Sequence, residues 1–240
     1  MTMNQILSSA VDDKLLTENV ARKVTVPKWH KSERRALTDL EKEAIRKADF
    51  TPRERAIVML LFYFGLRRGE VLALTKPDID LWKKTLTVNK TVVFDVNTPI
   101  IKTVAKSDAG NRIIPIPAPA IPFLRDFLKS VDTFYIFPGK TFEMLSKTQY
   151  VKMWEHIIRK INDAVTSERE KLIGTQPITG LTAHIFRHNY CTMLYYSGIS
   201  QKKAVELMGH SDLKMIMEVY AHLDEKKEAV QEKLDNAISL

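Results

Sequence analysis

Two imidazoles and one guanidinium come close together in the segment His184-Ile185-Phe186-Arg187-His188. On an α-helix, residues three and four positions apart share a face, so His184, Arg187 and His188 should project together. The two histidines have the spacing of a zinc-binding helix, but an arginine lies between them and no glutamate follows His184. A cationic face of this kind favours an oxyanion over a metal ion, and we expect no metal site.

Two adjacent arginines follow the most apolar segment of the chain, in the sequence Gly-Leu-Arg67-Arg68-Gly-Glu70. Arginine is costly to bury without an anionic partner. Either Glu70, three residues after Arg67, supplies that partner, or an anion binds from outside. The sequence alone favours the internal pair.

A third group of polar residues lies at a predicted junction between helices. Gly209 can end one helix in a left-handed conformation, and Ser211 or Asp212 can begin the next. His210 is therefore predicted at a helix end, where its ring can reach a ligand. Tyr220 follows ten residues after His210, and by itself it is only one of 7 tyrosines, typical of an amphipathic surface position.

The composition predicts a folded, mostly helical protein. The chain has 240 residues, of which 45% are hydrophobic and 28% are charged. These values exclude a solvated coil and a membrane bundle, and a total of 8 glycines argues against a turn-rich all-β fold. The longest apolar run, Ala56 to Leu66, is too short to cross a bilayer. The formal net charge of +8 indicates a polyanionic partner.

The beginning of the chain combines one helix with a basic linker. Hydrophobic periodicity predicts the helix from Asn4 to Leu16, and the segment from Ala21 to Ala36 contains Pro27 and lacks helical periodicity. A solvated charge run and a segment that follows a DNA backbone are both consistent with this linker. Its basic residues, which we take as candidate DNA contacts, are Arg22, Lys23, Lys28, Lys31, Arg34 and Arg35.

Two helices after the linker have clear starting signals. Thr38 with Glu41 and Thr51 with Glu54 form capping boxes, in which side chains bond the free amides of the first turn. Pro52 occupies the first helical position of the second helix, where its missing N–H costs nothing. Both helices are therefore predicted to begin at these residues.

The remaining elements give the fold class. Between Lys84 and Pro117, short hydrophobic runs predict three strands of one antiparallel sheet, with a turn near Gly110. We therefore predict a mostly α protein, formally α+β, with a small three-stranded antiparallel sheet. The later helices are predicted at Ala118–Lys129, Thr148–Val165, Leu181–Tyr196, Ser200–Met208 and Asp212–Leu223, with a charged tail helix after Asp224.

Taken together, the polar motifs resemble the tyrosine recombinase, or phage integrase, family of DNA strand-transfer enzymes, most like integrases of phages and other mobile elements. The resemblance covers about residues 36 to 223. It implies the tyrosine recombinase catalytic fold over residues 31–223, preceded at 1–30 by a remnant helix of a core-binding region and the basic linker. A C-terminal tail helix occupies 224–240. The motifs, in order, are Gly-Leu-Arg67-x-x-Glu70, Lys106 ahead of Arg112-Ile-Ile-Pro115, His184-x-x-Arg187-His188, Leu-x-Gly-His210 and Tyr220.

The resemblance implies strand cleavage and rejoining through a 3′-phosphotyrosyl intermediate, without ATP, metal or other cofactor. Tyr220 matches the nucleophile, His184 the general base and Lys106 the donor of a proton to the 5′-oxygen. Lys102, four residues before Lys106, is the alternative for that last role. The residues that match the family's catalytic positions are Arg67, Lys106, His184, Arg187, His210 and Tyr220, with Glu70 and His188 in supporting positions.

The implied partner is a double-stranded DNA recombination site. Four copies are expected on the DNA, with a monomer or weak oligomer in solution and accessory DNA-bending proteins as further partners. The tail after Asp224 docks either on a neighbouring copy or on its own chain. Since residues 1–30 are too short for a complete core-binding domain, we expect weak, salt-sensitive DNA binding.

Two alternatives bear on function, and two further observations bear on location. A Xer-like resolvase of chromosome or plasmid dimers would use the same chemistry, and a non-catalytic DNA-binding protein could retain the fold. The lone Cys191 cannot form an internal disulfide, and no signal-peptide pattern opens the sequence. We therefore expect a cytoplasmic, DNA-associated bacterial protein without a membrane partner.

Overall fold

The computed structural model describes residues 3–24, 35–103, 111–140, 143–167, 174, 176–209 and 213–238, with residue 226 and residues 228–238 described as backbone. The chain divides into two compact units, Met1–Glu33 and Arg34–Leu240. The predicted turn near Gly110 lies outside the described residues, apart from Asn111.

The first unit consists of helix α1, Met3–Asp12, and a short 3-10 turn, Val20–Lys23. The sequence predicted a longer α1, but Lys14 takes a left-handed conformation with φ of 60° and ends the helix. Asn19 joins the two pieces, because its side-chain amide donates to Asn4 Oδ1 at 2.7 Å and its oxygen accepts from the Ala21 amide at 3.0 Å.

The second unit is mainly helical, and its helices begin where the sequence signals predict. Thr38 and Thr51 both form complete capping boxes, with Glu41 and Glu54 as the reciprocal acceptors. The helices are α2 Asp39–Lys47, α3 Pro52–Phe64, α4 Arg68–Ala73, α5 Ile121–Lys129, α6 Lys147–Asp163, α7 Ala183–Tyr196, α8 Gln201–Met208 and α9 Leu213–Ile238.

The strands form two small antiparallel sheets. A three-stranded sheet has the order β1-β2-β5, and a separate hairpin pairs β3 with β4. Small antiparallel sheets are therefore present as predicted, but the three predicted strands do not form one sheet. The first predicted strand divides at Asn89 between the two sheets, and the second lies in the β3–β4 hairpin. The three-stranded sheet instead contains β1, which precedes Lys84. The strands are β1 Ile79–Asp80, β2 Thr85–Val88, β3 Lys90–Asp95, β4 Thr98–Thr103 and β5 Arg112–Pro115.

Helix α3 lies in the centre of the core and positions the polar residues that follow it. Its buried side chains, such as Leu60 and Phe64, pack with Phe186 of α7 in one hydrophobic cluster. The helix ends at Gly65, whose φ of 56° favours glycine and where a Cβ would overlap the Tyr190 ring. This close approach holds the start of α4 beside α7.

Helix α9 is a single helix, although the sequence predicted two segments that meet at Asp224. Charged residues interrupt the hydrophobic pattern there, but they are compatible with an exposed helix surface and do not end it. No helix in the portion of the chain described by the structure combines enough length with enough apolar character to cross a membrane.

Candidate active site

Arg67 lies at the N-terminus of α4 and is held by the helix that it precedes. Its backbone amide donates to Glu70 Oε2 at 2.8 Å, and its Nη1 donates to Glu70 Oε1 at 2.9 Å. The internal ion pair that the sequence favours is therefore formed. The Arg67 side chain keeps 35% of its surface exposed, so it can still meet a ligand from solvent.

Glu70 is itself clamped by a second arginine, Arg112 of β5. The two Arg112 Nη atoms donate to the two Glu70 oxygens at 3.0 and 2.8 Å, and its Nε donates to the Leu207 carbonyl at 2.8 Å. Glu70 is only 5% exposed, and burial alone would raise its pKa. The Arg112 hydrogen bonds, together with the charges of Arg112 and Arg187, outweigh burial and lower the Glu70 pKa to about 2. Glu70 is therefore held in its ionised form, and the Glu70–Arg112 pair links α4, β5 and the end of α8.

Arg187 is the most deeply placed charged side chain of the site, at 1% exposure. Its Nη1 donates to the Gly65 carbonyl and its Nη2 to the Met208 carbonyl. Both acceptors lie at helix ends, where carbonyls lack partners within the helix and carry partial negative charge. The helix ends of α3 and α8 therefore fix the orientation of this guanidinium.

The two histidines of α7 differ in exposure. His188 is buried, whereas His184, one turn earlier, is exposed. Their ring centroids lie 5.0 Å apart in an edge-to-face arrangement. The predicted common face is thus present, with the outer imidazole at the surface and the inner one packed behind it.

Arg67, His184 and Arg187 line one open cleft with a volume of about 710 Å³. The cleft is lined by the start of α4, by β3, by α6 and by the start of α7. The remaining lining residues are Arg68, Gly69, Thr91, Val92, Tyr150, Val151, Trp154, Glu155, Thr182 and Ala183.

Tyr220 does not line this cleft. It lies on α9, where its hydroxyl donates to the Ile199 carbonyl at 2.9 Å and its ring packs edge-to-face on Tyr195 with centroids 5.1 Å apart. Burial disfavours the phenolate, and with smaller contributions from Cys191 and Tyr195 it raises the Tyr220 pKa to about 12. In this arrangement the phenol is a neutral hydrogen-bond donor.

Tyr220 lines a separate pocket of about 820 Å³. Its wall includes Tyr195, Tyr196 and Ile199 on one side and Leu223 and Asp224 of α9 on the other, and the Tyr195 hydroxyl also contacts the Asp224 carboxylate.

The family of the chain follows from its sequence as a whole. The model of the phage integrase family matches residues 32–227, which is most of the chain. The chain belongs to the phage integrase family. The resemblance predicted from the separate motifs is confirmed.

Relatives of this phage integrase family chain include recombinases and transposases. A XerC-like tyrosine recombinase of Caldanaerobacter subterraneus subsp. tengcongensis is 27% identical over 247 residues, which covers 91% of this chain and 59% of the relative. The transposase of transposon Tn916 from Enterococcus faecalis is 25% identical over 212 residues, with 82% and 49% covered. The chain therefore spans about half to three fifths of the length of these relatives.

Solved structures of other family members confirm the fold. The Tn1549 transposon integrase, in complex with a circular intermediate DNA, aligns with a TM-score of 0.69 at 19% identity and covers 96% of this chain and 76% of that one. The XerA recombinase aligns with a TM-score of 0.55 at 24% identity, with 97% and 74% covered. The predicted tyrosine recombinase catalytic fold is the fold of this integrase-family chain.

Several predicted residues of this phage integrase family member lie outside the described parts of the structure: Lys28, Lys31, Arg34, Lys106 and His210. Lys102, the alternative to Lys106, is exposed on β4.

Two basic residues of the linker are engaged within the protein. Lys23 forms an ion pair with Glu18 at 2.8 Å, and Arg35 binds Glu41 through two bonds of 2.6 Å. Arg22 lies in the 3-10 turn of the first unit. Among the described residues, no group of three or more His, Cys, Asp and Glu side chains could hold a metal ion.

Two functional contributions were missed by sequence reasoning. The sequence motif includes Arg112 after Lys106 but predicts no role for it, yet Arg112 is the buried partner of Glu70. Arg68 was noted only as a neighbour of Arg67, yet it lines the cleft. An arginine followed by two isoleucines in a strand was the available signal for Arg112, because the alternation predicts that it faces the same way as Ile114.

Proposed function

We propose that this chain is the catalytic portion of a site-specific DNA recombinase that cleaves and rejoins strands through a 3′-phosphotyrosyl intermediate. The observation that carries the proposal is the cleft, in which Arg67 of one segment meets His184 and Arg187 of another. Two guanidiniums suit a phosphate whose non-bridging oxygens gain negative charge in the transition state. Helix ends and Glu70 already hold both guanidiniums in place.

The proposed chemistry conserves the energy of the phosphodiester. The Tyr220 oxygen bonds to phosphorus while the bond from phosphorus to the 5′-oxygen breaks, which leaves the 3′-phosphate on the tyrosine. His184 takes the phenolic proton, and Lys106 gives a proton to the departing 5′-oxygen. His210 donates a further hydrogen bond to the phosphate. Attack by a 5′-hydroxyl on the phosphotyrosine reverses the step and rejoins a strand.

The proposal requires Tyr220 to leave the position that it holds in this structure. Its hydroxyl must give up the hydrogen bond to the Ile199 carbonyl and move into the cleft, either of its own chain or of a second copy. In the cleft, two guanidiniums would favour the phenolate that burial now disfavours. We assign residues 31–223 to catalysis and 224–240 to a tail that docks in cis or in trans.

Double-stranded DNA is the proposed partner, with four copies assembled on a recombination site and accessory DNA-bending proteins. The net charge of +8 supports a polyanionic partner. The basic linker is proposed to follow the DNA backbone, for which Lys23 and Arg35 must exchange their present carboxylate partners. Glu70 and His188 are proposed to orient the arginines and His184. The proposed location is the bacterial cytoplasm.

A covalent-trapping experiment tests the chemistry. The protein is incubated with a pool of randomised duplexes that carry a nick. After cleavage, the short fragment that carries the 5′-hydroxyl dissociates, so rejoining is blocked. We expect a denaturant-resistant protein–DNA adduct for the wild type and none for Tyr220→Phe. Tyr196→Phe, which alters a neighbouring exposed tyrosine, should retain the adduct. An adduct that persists in Tyr220→Phe contradicts the proposal.

A Xer-like resolvase is the second candidate, and the XerC-like relative at 27% identity supports it. The Tn916 relative at 25% identity supports a mobile-element integrase. Mapping the trapped cleavage positions distinguishes them, because resolvases act on paired inverted chromosomal or plasmid sites and integrases on attachment sites. A complete lack of cleavage with retained DNA binding would favour the non-catalytic alternative.

A further inference from the structure

Arg68 follows Arg67 directly and begins helix α4. Its side chain is exposed and lines the same cleft as Arg67, His184 and Arg187. The guanidinium carbon lies 5.8 Å from the ring centroid of Phe94 on β3 and 5.5 Å from the ring centroid of Tyr150 on α6. Both distances are within the range of a cation–π interaction. Arg68 therefore connects three elements at one side of the cleft.

The two rings that hold Arg68 are themselves fixed. Tyr150 is 7% exposed and stacks on Trp154, with centroids 6.2 Å apart and an interplanar angle of 17°. Phe94 is partly buried and packs against the hydrophobic core. An arginine between fixed rings loses less side-chain freedom when it binds an anion than a freely moving one does.

The β3–β4 hairpin is also anchored at both of its ends. At the tip, the Asn97 side-chain oxygen accepts from the Thr148 amide at 2.9 Å, and the Asn97 carbonyl accepts from the Lys147 amide at 3.2 Å. Nearer the cleft, Gly69 of α4 lies so close to Thr91 and Val92 that a Cβ there would overlap both residues. Helix α6, the hairpin and α4 therefore form one supported wall behind Arg68.

Within the described part of the chain, Arg68 contacts two aromatic rings, and no carboxylate forms an ion pair with it. Glu70, the nearest acidic residue in sequence, is already bonded to Arg67 and Arg112. Glu155 lines the cleft but is exposed, and no bond joins it to Arg68. An oriented, exposed guanidinium beside two phosphate-binding candidates suits a second anion in the same cleft.

We propose that Arg68 binds a DNA phosphate adjacent to the reacting phosphate and thereby positions the strand in the cleft. This inference rests on the proposed function, because it takes DNA as the ligand. Arg68 contacts the substrate backbone and takes no part in proton transfer or bond breaking. The aromatic rings fix its direction, so both its charge and its planar shape contribute.

The experiment measures the salt dependence of binding to a 30-base-pair duplex of arbitrary sequence by fluorescence anisotropy, with the full chain. Removing one phosphate contact lowers the slope of log affinity against log salt by about 0.9. We expect Arg68→Ala to show this loss and roughly tenfold weaker binding, the usual cost of one charge-assisted hydrogen bond. Arg68→Lys should keep the slope but form the covalent adduct more slowly, since lysine lacks the planar fork that stacks on the rings.

Arg55 provides a matched control. Its guanidinium carbon lies 5.7 Å from the Phe50 centroid, a similar cation–π contact, but Arg55 does not line the cleft. Arg55→Ala should have the same salt-dependence slope and the same DNA affinity as the wild type. A wild-type slope for Arg68→Ala, or an equal loss for Arg55→Ala, would overturn the inference.

Further measurements separate this inference from folding defects and from the proposed function. Thermal unfolding shows whether Arg68→Ala is folded, and Arg68→Gln, which retains a shorter, uncharged polar side chain, should repeat the slope change. Suppose that neither the wild type nor any variant forms an adduct, but the slopes of log affinity against log salt change as expected. The recombinase proposal then fails, and the phosphate contact of Arg68 stands. If the wild-type adduct forms but the slope is unchanged in Arg68→Ala and Arg68→Gln, only the contact fails.

Discussion

At the scale of single residues, the site depends on one buried carboxylate. Glu70 accepts hydrogen bonds from the Arg67 backbone, the Arg67 side chain and the Arg112 guanidinium. Each bond is charge-assisted or completes the first turn of α4, so Glu70 both stabilises the fold and orients the two arginines. Removing its charge leaves Arg112, which is 7% exposed, buried beside a neutral partner.

The Glu70 pKa gives a pH-dependence of stability. Its value of about 2 is below its usual value of 4.5, so the folded state favours the ionised form. This stabilisation is complete above about pH 4.5 and is lost as the pH falls toward 2. A shift of this size corresponds to about 3 kcal/mol.

Glu70→Gln should therefore lower the free energy of unfolding by about 3 kcal/mol at pH 7, and the difference from wild type should shrink below about pH 4. Urea denaturation at several pH values measures both. Glu43→Gln is the control, because Glu43 forms surface ion pairs with Arg46 and Lys47 and should have little effect. A Glu70→Gln protein as stable as wild type at neutral pH would contradict the role of this carboxylate.

At the scale of elements, the parts that were predictable from sequence are those set by neighbouring residues. The capping boxes at Thr38 and Thr51 are local signals, and both occur in the structure. The bond between Arg112 and Glu70 joins residues 42 positions apart, and no local pattern encodes it. The division of the predicted first strand between two sheets likewise depends on packing of β3 against α4.

The contact between α4 and β3 makes a further prediction. Replacing an exposed glycine within a helix by alanine usually stabilises the folded protein by about 0.5 to 1 kcal/mol, because the unfolded chain loses conformational freedom. At Gly69 the added Cβ would overlap the Thr91 hydroxyl and the Val92 carbonyl, and the latter belongs to the backbone and cannot turn away.

Gly69→Ala should therefore destabilise the protein by roughly 1 to 3 kcal/mol, the range for overpacking, instead of stabilising it. Because α4 must shift to relieve the overlap, Arg67 and Arg68 move as well, and adduct formation should fall. Thermal unfolding and the trapping assay measure these two effects. A more stable Gly69→Ala protein would show that α4 and β3 are not in close contact.

At the scale of the whole molecule, the cationic cleft and the tyrosine occupy different places on one chain. The family resemblance implies that they act together, but a sequence motif does not show where α9 places Tyr220 relative to the cleft. Tyr220 and the tail belong to the same continuous helix, Leu213–Ile238. Moving the tyrosine to the cleft therefore involves bending α9 or displacing the tail with it.

The ionisation of Tyr220 reports its position. With the Tyr220 pKa raised to about 12 by burial, the folded state favours the neutral phenol. The associated stabilisation is present below about pH 10 and is lost as the pH rises toward 12. In the free protein, about a tenth of Tyr220 should be ionised at roughly pH 11, compared with about nine tenths for a tyrosine with the usual pKa near 10.

Nuclear magnetic resonance of ¹³Cζ-labelled tyrosine measures this ionisation, and the spectrum of Tyr220→Phe identifies the resonance. Tyr195→Leu, which removes the ring packed on Tyr220, should lower the Tyr220 pKa toward 10, because water then reaches the phenol. It should also speed adduct formation, since less packing then holds Tyr220, the proposed nucleophile, away from the cleft. If Tyr220 in the free wild type is mostly ionised at about pH 10, the ring already lies beside the guanidiniums, and the separation of Tyr220 from the cleft does not describe the protein in solution.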